Sequence, residues 1–140
     1  MRIAIYGAGS LGTVLGAYLT KAYPETELIN RNQAHIEALR RNGAQITGSV
    51  EMNVPVKALL PQEMAGVYDL IFLMTKQLNN RKTAEFLKPF LGDNGVLCTL
   101  QNGIPEPLLA EVLGNDRVLG ATVAWGATMT SPGTVVLTSD

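Results

Sequence analysis

The sequence predicts an α/β fold, with a doubly wound and mainly parallel sheet, helices on both faces, and a pair of strands at the C-terminal end. Three observations lead to this prediction. Short apolar segments alternate with segments whose apolar residues recur at helical spacing, and such repeats form parallel sheets with right-handed crossovers. Residues 70–74 form a continuous apolar run, as expected of a strand covered on both faces. A glycine-rich turn separates the first strand from the first helix.

Predicted strands and helices alternate through most of the chain. The strands are short and apolar, whereas the helices carry one apolar face and end near glycine, asparagine or proline. In chain order the predicted elements are a strand at Arg2–Tyr6, a helix at Ser10–Ala22, a strand at Glu27–Asn30, a helix at Gln33–Arg41, a strand at Leu70–Met74, a helix at Arg81–Leu91, a strand at Val96–Leu100 and a helix at Pro107–Leu113.

Two regions depart from this alternation. Ala44–Val56 alternates in polarity and contains glycine and proline, so we predict irregular chain or paired edge strands there. Val118–Met129 and Thr134–Leu137 are strand-like and flank a predicted turn at Ser131-Pro132-Gly133. No internal repeat or linker interrupts the sequence, so we predict that residues 1–140 form one domain.

Composition argues against several classes of protein. The 11 basic and 12 acidic residues nearly cancel, which disfavours a nucleic-acid-binding or membrane-surface protein. The single cysteine cannot form an internal disulfide, so a cytoplasmic location is expected. We expect neither a signal peptide nor a membrane span, because no charged leader or long apolar segment is present. No metal is expected, since no cluster of His, Cys and carboxylates has ligand spacing.

The glycine-rich turn, Gly7-Ala8-Gly9-Ser10-Leu11-Gly12, matches the dinucleotide-binding fingerprint of Rossmann-type folds. Gly7 would allow the tight turn, Gly9 would let the backbone approach a pyrophosphate, and Gly12 would let the helix pack closely on the sheet. The amides at the helix N-terminus would hold the phosphate charge. A tight turn without a ligand is the alternative, which the position between a strand and an amphipathic helix disfavours.

The end of the second strand indicates which dinucleotide is bound. An NAD site places Asp or Glu there to bind the ribose 2′-hydroxyl, but the residues present are Asn30, Arg31 and Asn32. Arginine suits the 2′-phosphate of NADP, because its planar fork can donate two hydrogen bonds to phosphate. We therefore predict NADP as the cofactor, with Asn30 and Arg31 in its site. The alternative is that Arg31 is simply a solvated residue before the second helix.

Two later segments follow strand ends, where ligands of open parallel sheets bind. They are Thr75-Lys76, after the apolar run, and Gln101-Asn102-Gly103, after the next strand. Together with the glycine-rich turn and Asn30-Arg31, they resemble the N-terminal domain of the ketopantoate reductases (2-dehydropantoate 2-reductases). The resemblance covers essentially the whole chain and includes the segments Ala34–Leu39, Asn42-Gly43, Ile46–Gly48, Gly120–Thr122 and Ser131–Val135.

The resemblance implies an oxidoreductase of pantothenate synthesis that reduces a small 2-oxo acid, ketopantoate, with NADPH. Carried over residue by residue, Lys76 would lie beside the nicotinamide end of the cofactor and the substrate, and Asn102 would contact the nicotinamide ribose or the substrate. These two are the expected catalytic residues, and with Thr75 they also belong to the expected cofactor site. The alternatives are a solvated lysine and an ordinary Asn-Gly turn.

The resemblance also implies a second domain. In the family a helical C-terminal domain supplies the general-acid lysine, a substrate-binding carboxylate and the dimer contacts, and nothing in these 140 residues matches it. We therefore expect the 140-residue chain alone to be inactive, and a homodimer to form through that other domain. Gln77 and Ile104-Pro105-Glu106-Pro107 depart from the family pattern where the substrate should be recognised, so the exact 2-oxo acid stays open.

Two other functions stay open beside this one. Another two-domain dehydrogenase, of the opine or 6-phosphogluconate type, would share such a half. A stand-alone nucleotide-sensing module, like those that gate potassium transport, would have similar length but usually keeps a carboxylate after the second strand. Among the remaining residues, we expect His35 at the surface and Cys98 as inert packing in a buried strand. Trp125 and Met129 either line the pocket or pack beneath it.

Overall fold

The computed structural model describes residues 1–139, over which ten strands and four α-helices form, so that Asp140 of the predicted domain lies outside the described residues. In chain order they are β1 (Ile3–Tyr6), α1 (Ser10–Ala22), β2 (Glu27–Ile29), α2 (Gln33–Asn42), β3 (Ala44–Gly48), β4 (Met52–Val54), β5 (Lys57–Leu59), β6 (Tyr68–Leu73), α3 (Asn80–Leu87), β7 (Leu91–Thr99), α4 (Glu106–Leu113), β8 (Val118–Gly120), β9 (Gly126–Ser131) and β10 (Thr134–Ser139).

The larger sheet has six parallel strands in the order β5-β2-β1-β6-β7-β8. The chain begins near the middle with β1, adds β2 and β5 on one side, and returns to add β6, β7 and β8 on the other. The carboxyl ends of β1 and β6 therefore lie side by side where the strand order reverses, which is where open α/β sheets bind their ligands. The predicted doubly wound α/β fold is confirmed.

A smaller sheet has four strands in the order β4-β3-β10-β9. The predicted C-terminal strand pair is present, because β9 and β10 run antiparallel on either side of the turn at Pro132-Gly133. β10 also pairs in parallel with β3, and β3 pairs antiparallel with β4. Of the two interpretations of residues 44–56, paired strands is therefore the correct one.

Several boundaries differ from the sequence prediction. α3 ends at Leu87 instead of Leu91, because Pro89 lies in a 3-10 turn that leads directly into β7. β7 then includes the glycine-containing segment 92–95, which lies between the predicted helix and the strand predicted to begin at Val96, and its pairing with β6 shifts register there. β5 was not predicted, since three residues show too little periodicity. The strand-like region 118–129 divides into β8 and the start of β9, with residues 121–125 outside any regular element.

Two apolar clusters form the core. One joins strand residues of the larger sheet, such as Ile71, to Leu87 of α3 and Leu109 of α4. The other joins the same sheet to α1, α2 and the smaller sheet, and Trp125 and Met129 pack against it, so both residues contribute to packing. Each fully buried aliphatic side chain stabilises the fold by roughly 1.5–3 kcal/mol. Within residues 1–139, no helix is long and apolar enough to cross a membrane.

Cys98 is only partly buried, so its predicted burial was wrong. The reason is its position on β7 beside β8, a three-residue strand at the sheet edge whose facing residue, Leu119, is 59% exposed. Desolvation by the surrounding chain raises the pKa of the Cys98 thiol. The thiol therefore stays protonated near neutral pH and is a weak nucleophile, as expected of a packing residue.

Candidate dinucleotide-binding site

The turn after β1 is held in one conformation by backbone contacts. The N–H groups of Gly7 and Ala8 both donate to the carbonyl oxygen of Ile29, at 2.9 Å each, which ties the turn to the end of β2. Gly7 has a φ of +96°, a value that side chains with a Cβ rarely adopt. A Cβ at Gly7 would also lie 2.7 Å from the backbone nitrogen of Thr75. Glycine is therefore required where this turn meets the segment after β6.

The other two glycines of the turn differ in their surroundings. A Cβ at Gly12 would lie 2.9 Å from the carbonyl oxygen of Gly7 and 3.2 Å from Cγ2 of Ile5, so Gly12 permits the close approach of α1 to the sheet. A Cβ at Gly9 would meet nothing nearer than Nδ2 of Asn30 at 4.0 Å. Gly9 thus faces open space. Its lack of a side chain has no packing explanation and leaves the backbone free to approach a ligand.

The N-terminus of α1 can accept an anion. Its N-cap residue, Gly9, makes no side-chain cap, and its first turn contains no acidic residue. Unpaired amides at such a terminus, together with the helix dipole, favour phosphate. Ser10 is partly engaged elsewhere, because its Oγ accepts a hydrogen bond of 3.0 Å from the backbone N–H of Met129. This contact joins the smaller sheet to the turn and leaves the Ser10 hydroxyl hydrogen free to donate.

The segment after β2 presents Arg31 without a carboxylate beside it. Oδ1 of Asn30 accepts a 2.8 Å hydrogen bond from the N–H of Asn32, and Oδ1 of Asn32 caps α2 by accepting from the N–H of His35. The two asparagines therefore fix the turn from which Arg31 projects. Arg31 is exposed, and none of the ion pairs of residues 1–139 includes it.

A cavity of about 270 Å³ brings the ends of β1, β2 and β6 together. Five of the residues predicted for the site line this cavity, namely Gly7, Asn30, Arg31, Thr75 and Lys76. Side chains from the segment before β6 and from the start of α3 complete the lining. The lining residues are Tyr6, Gly7, Ile29, Asn30, Arg31, Pro61, Thr75, Lys76, Leu78, Asn79 and Thr83. The sequence analysis missed Pro61 and Thr83, which come from the segment before β6 and from α3 and carry no local signal. Leu78 and Asn79 directly follow Gln77 in the segment that departs from the family pattern, but no role in the cavity was predicted for them.

Asn102 lies apart from Lys76. It lines a separate cavity of about 400 Å³ with Gln101, Gly103, Glu106 and residues 120–123. The two expected catalytic residues thus belong to neighbouring cavities, both at the carboxyl ends of the parallel strands. The side chain of Gln77 lies against Gly103, since a Cβ there would be 2.9 Å from Nε2 of Gln77. The two departures from the family pattern therefore occur in segments that meet.

Gln101 connects the two cavities. Its Nε2 donates to the backbone carbonyl of Thr75 at 2.7 Å and to Oδ1 of Asn80 at 2.9 Å. Its Oε1 accepts from Nδ2 of Asn80 at 3.0 Å and from Oγ1 of Thr99 at 3.1 Å. Asn80 is 3% exposed and Thr99 is fully buried, so these bonds satisfy polar groups that water does not reach. The sequence analysis used Gln101 only as a landmark, and it predicted no structural role for Asn80, which belongs to the segment after Gln77 that departs from the family pattern.

His35 is fully buried, so the predicted surface position was wrong. Its Nδ1 accepts a 3.0 Å hydrogen bond from the N–H of Gly133, and its Nε2 lies 2.9 Å from the carbonyl oxygen of Ala8 and 3.1 Å from Oγ1 of Thr13. An accepting Nδ1 places the proton of the neutral ring on Nε2, which donates to Ala8. The burial arises from the β9–β10 turn, 98 residues farther along the chain.

The environment of His35 favours its neutral form. Desolvation lowers the pKa of the imidazole, and the hydrogen bond to Ala8 offsets only part of that shift. Through Ala8 the ring supports the glycine-rich turn from behind, whereas the ligand side of the turn stays open. Within residues 1–139, no group of three or more His, Cys, Asp or Glu side chains is arranged to hold a metal ion.

Comparison with known proteins identifies a family that this chain resembles over nearly its whole length. The model of the family described as ketopantoate reductase PanE/ApbA matches residues 3–140. A 2-dehydropantoate 2-reductase of Pyrococcus horikoshii is 34% identical over 135 residues, which cover 96% of this chain and 44% of the relative.

Two solved structures are similar in fold over almost the whole chain. The 2-dehydropantoate 2-reductase of Geobacter metallireducens superposes with a TM-score of 0.89 and 30% identity, covering 100% of this chain and 47% of that protein. A D-mandelate dehydrogenase solved with NADH and anilino(oxo)acetate superposes with a TM-score of 0.87 and 26% identity, covering 98% of this chain and 45% of that protein. The chain therefore spans less than half the length of these relatives.

Proposed function

This chain belongs to the ketopantoate reductase family, and we propose that it is the NADP-binding half of an oxidoreductase that reduces a small 2-oxo acid to the 2-hydroxy acid. One observation carries the proposal. The cavity at the ends of β1, β2 and β6 is lined by the cations Arg31 and Lys76, which form no ion pair within residues 1–139, and by no carboxylate. The turn that contributes Gly7 to this cavity also carries the open Gly9 and the uncapped N-terminus of α1. Such a surface suits a ligand with several phosphates.

Different residues at the strand ends would bind different parts of the cofactor. The backbone of residues 7–12 would receive the pyrophosphate, with Gly9 giving the space for its approach. Asn30 and Arg31 would hold the adenosine ribose and its 2′-phosphate. Thr75 would support the segment that follows β6, since its carbonyl is fixed by Gln101. When bound, the cofactor supplies the hydride, and the chain binds and orients it.

NADP is proposed over NAD because of Arg31. The D-mandelate dehydrogenase neighbour was solved with NADH, so the choice between the two dinucleotides has to come from residues of this chain. In this chain the position that would need a carboxylate for the 2′-hydroxyl of NAD is occupied by Asn30, Arg31 and Asn32. A charge-assisted hydrogen bond contributes roughly 1.5–3 kcal/mol, which corresponds to one or two orders of magnitude in affinity.

Lys76 and Asn102 are the proposed catalytic residues. Both are exposed at the strand ends, so both are accessible to a substrate. The Lys76 ammonium group would attract the negative oxygen that develops as a carbonyl is reduced, and the Asn102 amide would orient the nicotinamide ribose or the substrate. Their separate cavities would be joined by Gln101, which fixes Thr75 beside Lys76 and immediately precedes Asn102 in the chain.

The whole protein has further proposed parts. Because the relatives are more than twice as long as the matched region, we take residues 1–140 as the dinucleotide-binding domain of a two-domain, cytoplasmic enzyme. A helical second domain would supply the proton donor, a carboxylate for the substrate and homodimer contacts. Ketopantoate is the first substrate to test. Gln77 and residues 104–107 allow for another 2-oxo acid, in view of the neighbour solved with anilino(oxo)acetate.

The experiment is a steady-state assay of NADPH oxidation in the presence of ketopantoate. We expect the 140-residue chain to bind NADPH without turnover, and a protein that continues this reading frame into a second domain to reduce ketopantoate or another small 2-oxo acid. Robust turnover by the 140-residue chain would contradict the two-domain proposal. NADPH binding by the longer protein without reduction of any 2-oxo acid would favour the nucleotide-sensing alternative.

A further inference from the structure

Another cavity, distinct from the one that Asn102 lines, adjoins the proposed cofactor cavity on the side of α3. It has a volume of about 350 Å³ and shares with the first Tyr6, Arg31, Pro61, Asn79 and Thr83. Two residues are added to this shared wall, Lys82 and Phe86. Lys82 therefore lines the same groove as Arg31, although the two are 51 positions apart in the sequence.

The charge around Lys82 is not balanced by the protein. The ion pairs of residues 1–139 join Arg2 to Glu27, Arg40 to Glu63, Lys57 to Glu25 and Arg81 to Glu111, so no carboxylate of the described chain lies within 4.0 Å of the Lys82 ammonium nitrogen. Neither of the two adjoining cavities has an acidic residue in its lining. In a chain of net charge −1, three cations that have no ion-pair partner within residues 1–139, Arg31, Lys76 and Lys82, therefore line one continuous groove.

The position of Lys82 in the helix is unfavourable by itself. Lys82 belongs to the first turn of α3, where the helix dipole disfavours a cation, and that turn contains no acidic residue. The neighbouring Arg81 is compensated by Glu111, whereas Lys82 has no such partner in the described chain. A charged residue whose position in a helix is unfavourable, and whose charge no neighbouring residue compensates, is often found at a ligand-binding site.

We propose that Lys82 is a specificity-determining residue that, together with Arg31, binds the 2′-phosphate of NADP in this groove. This inference rests on the proposed function, because it assigns Lys82 as a further binding residue for the NADP that the proposed cofactor cavity would hold. A phosphate bound by an arginine and a lysine receives a planar, bidentate donor from the arginine and a mobile point charge from the lysine. NAD, which lacks this phosphate, gains nothing from Lys82.

The test is calorimetric titration of the 140-residue chain and its Lys82→Ala variant with NADP, NAD, adenosine 2′,5′-bisphosphate and AMP. We expect Lys82→Ala to weaken binding of NADP and the bisphosphate on the order of fivefold to tenfold at low salt, and to leave NAD and AMP unchanged. Lys82→Arg should retain most of the affinity for NADP. The matched control is Lys88→Ala, an exposed lysine beyond the other end of α3, which should change none of the four affinities.

Other outcomes separate this inference from the proposed function. If Arg31→Ala removes the preference for NADP while Lys82→Ala leaves every affinity unchanged, Lys82 is only a solvated lysine and the inference is wrong, while the proposed function stands. If Lys82→Ala weakens NADP and NAD equally, its role is structural and the inference is again wrong. If the unmodified chain binds neither dinucleotide, the proposed function fails, and the assignment of Lys82 fails with it.

Discussion

The side-chain amide of Gln101 donates a 2.7 Å hydrogen bond to the backbone carbonyl of Thr75, joining the segments that follow β6 and β7. This bond links two strand ends that the sequence separates by 26 residues. It holds together the two segments that carry the proposed catalytic residues Lys76 and Asn102, at the same edge of the sheet. The same amide group also bonds to Asn80, at the start of α3.

Gln101→Glu tests how much the hydrogen bonds of the Gln101 side chain stabilise the fold. The substitution keeps the shape but removes both N–H donors and sets a carboxylate beside two oxygen acceptors. We expect the free energy of unfolding to fall by about 1–3 kcal/mol, the usual cost of leaving buried polar groups unsatisfied. Urea denaturation measures it, with Gln62→Glu, at an exposed position, as the matched control. Equal stability of the two variants would show that these hydrogen bonds contribute nothing.

A second prediction concerns pH. The folded-state pKa of His35 is lowered by burial, so the folded protein favours the neutral ring, and stability is lost as pH falls below the unfolded-state pKa of about 6.5. Protonation would also remove the Nδ1 acceptor used by the Gly133 N–H. We expect the free energy of unfolding to decrease between pH 7.5 and pH 5.5.

The control for this pH effect is His35→Gln, because His35 is the one histidine of the chain. The variant should be less stable at pH 7.5 but should show a smaller change in unfolding free energy between pH 7.5 and pH 5.5. Urea denaturation at both pH values gives the comparison. Equal pH dependence in the two proteins would assign the loss of stability to the carboxylates.

The glycines of the turn should separate binding from stability. Gly9→Val puts a branched side chain into the open space where a pyrophosphate would lie, so it should abolish NADPH binding with little loss in thermal midpoint. Gly12→Val places its Cβ against the Gly7 carbonyl and should lower the thermal midpoint strongly. Normal NADPH binding by Gly9→Val would mean that the ligand lies elsewhere.

The sequence predicted those parts of the site that depend on local pattern. The glycine-rich turn and Asn30-Arg31 each follow a strand directly, so their shared position follows from the parallel fold. His35 and Gln101 could not be interpreted in the same way. The partners of His35 come from the β9–β10 turn and from the turn after β1, whereas Gln101 acts through Thr75 and Asn80. Such contacts depend on tertiary packing, which periodicity does not encode.

In the longer protein, Lys76→Ala and Asn102→Ala should each lower kcat/KM. The expected loss is on the order of tenfold to a thousandfold, the scale of removing one charged or polar contact to a transition state. Lys88→Ala, a matched change at an exposed lysine outside both cavities, should leave kcat/KM unchanged. Wild-type kinetics for Lys76→Ala would remove it from the catalytic residues while leaving the cofactor site unaffected.

The most direct measurement of the central claim is the affinity of the 140-residue chain for NADP and for NAD by calorimetry. We predict at least about tenfold tighter binding of NADP, from the charge-assisted hydrogen bonds of Arg31. Arg31→Ala should remove most of that difference and leave NAD binding nearly unchanged, whereas Arg41→Ala, at an exposed arginine outside the cavities, should preserve it. Equal affinities for the two dinucleotides in the unmodified chain would contradict the assignment of this domain to NADP.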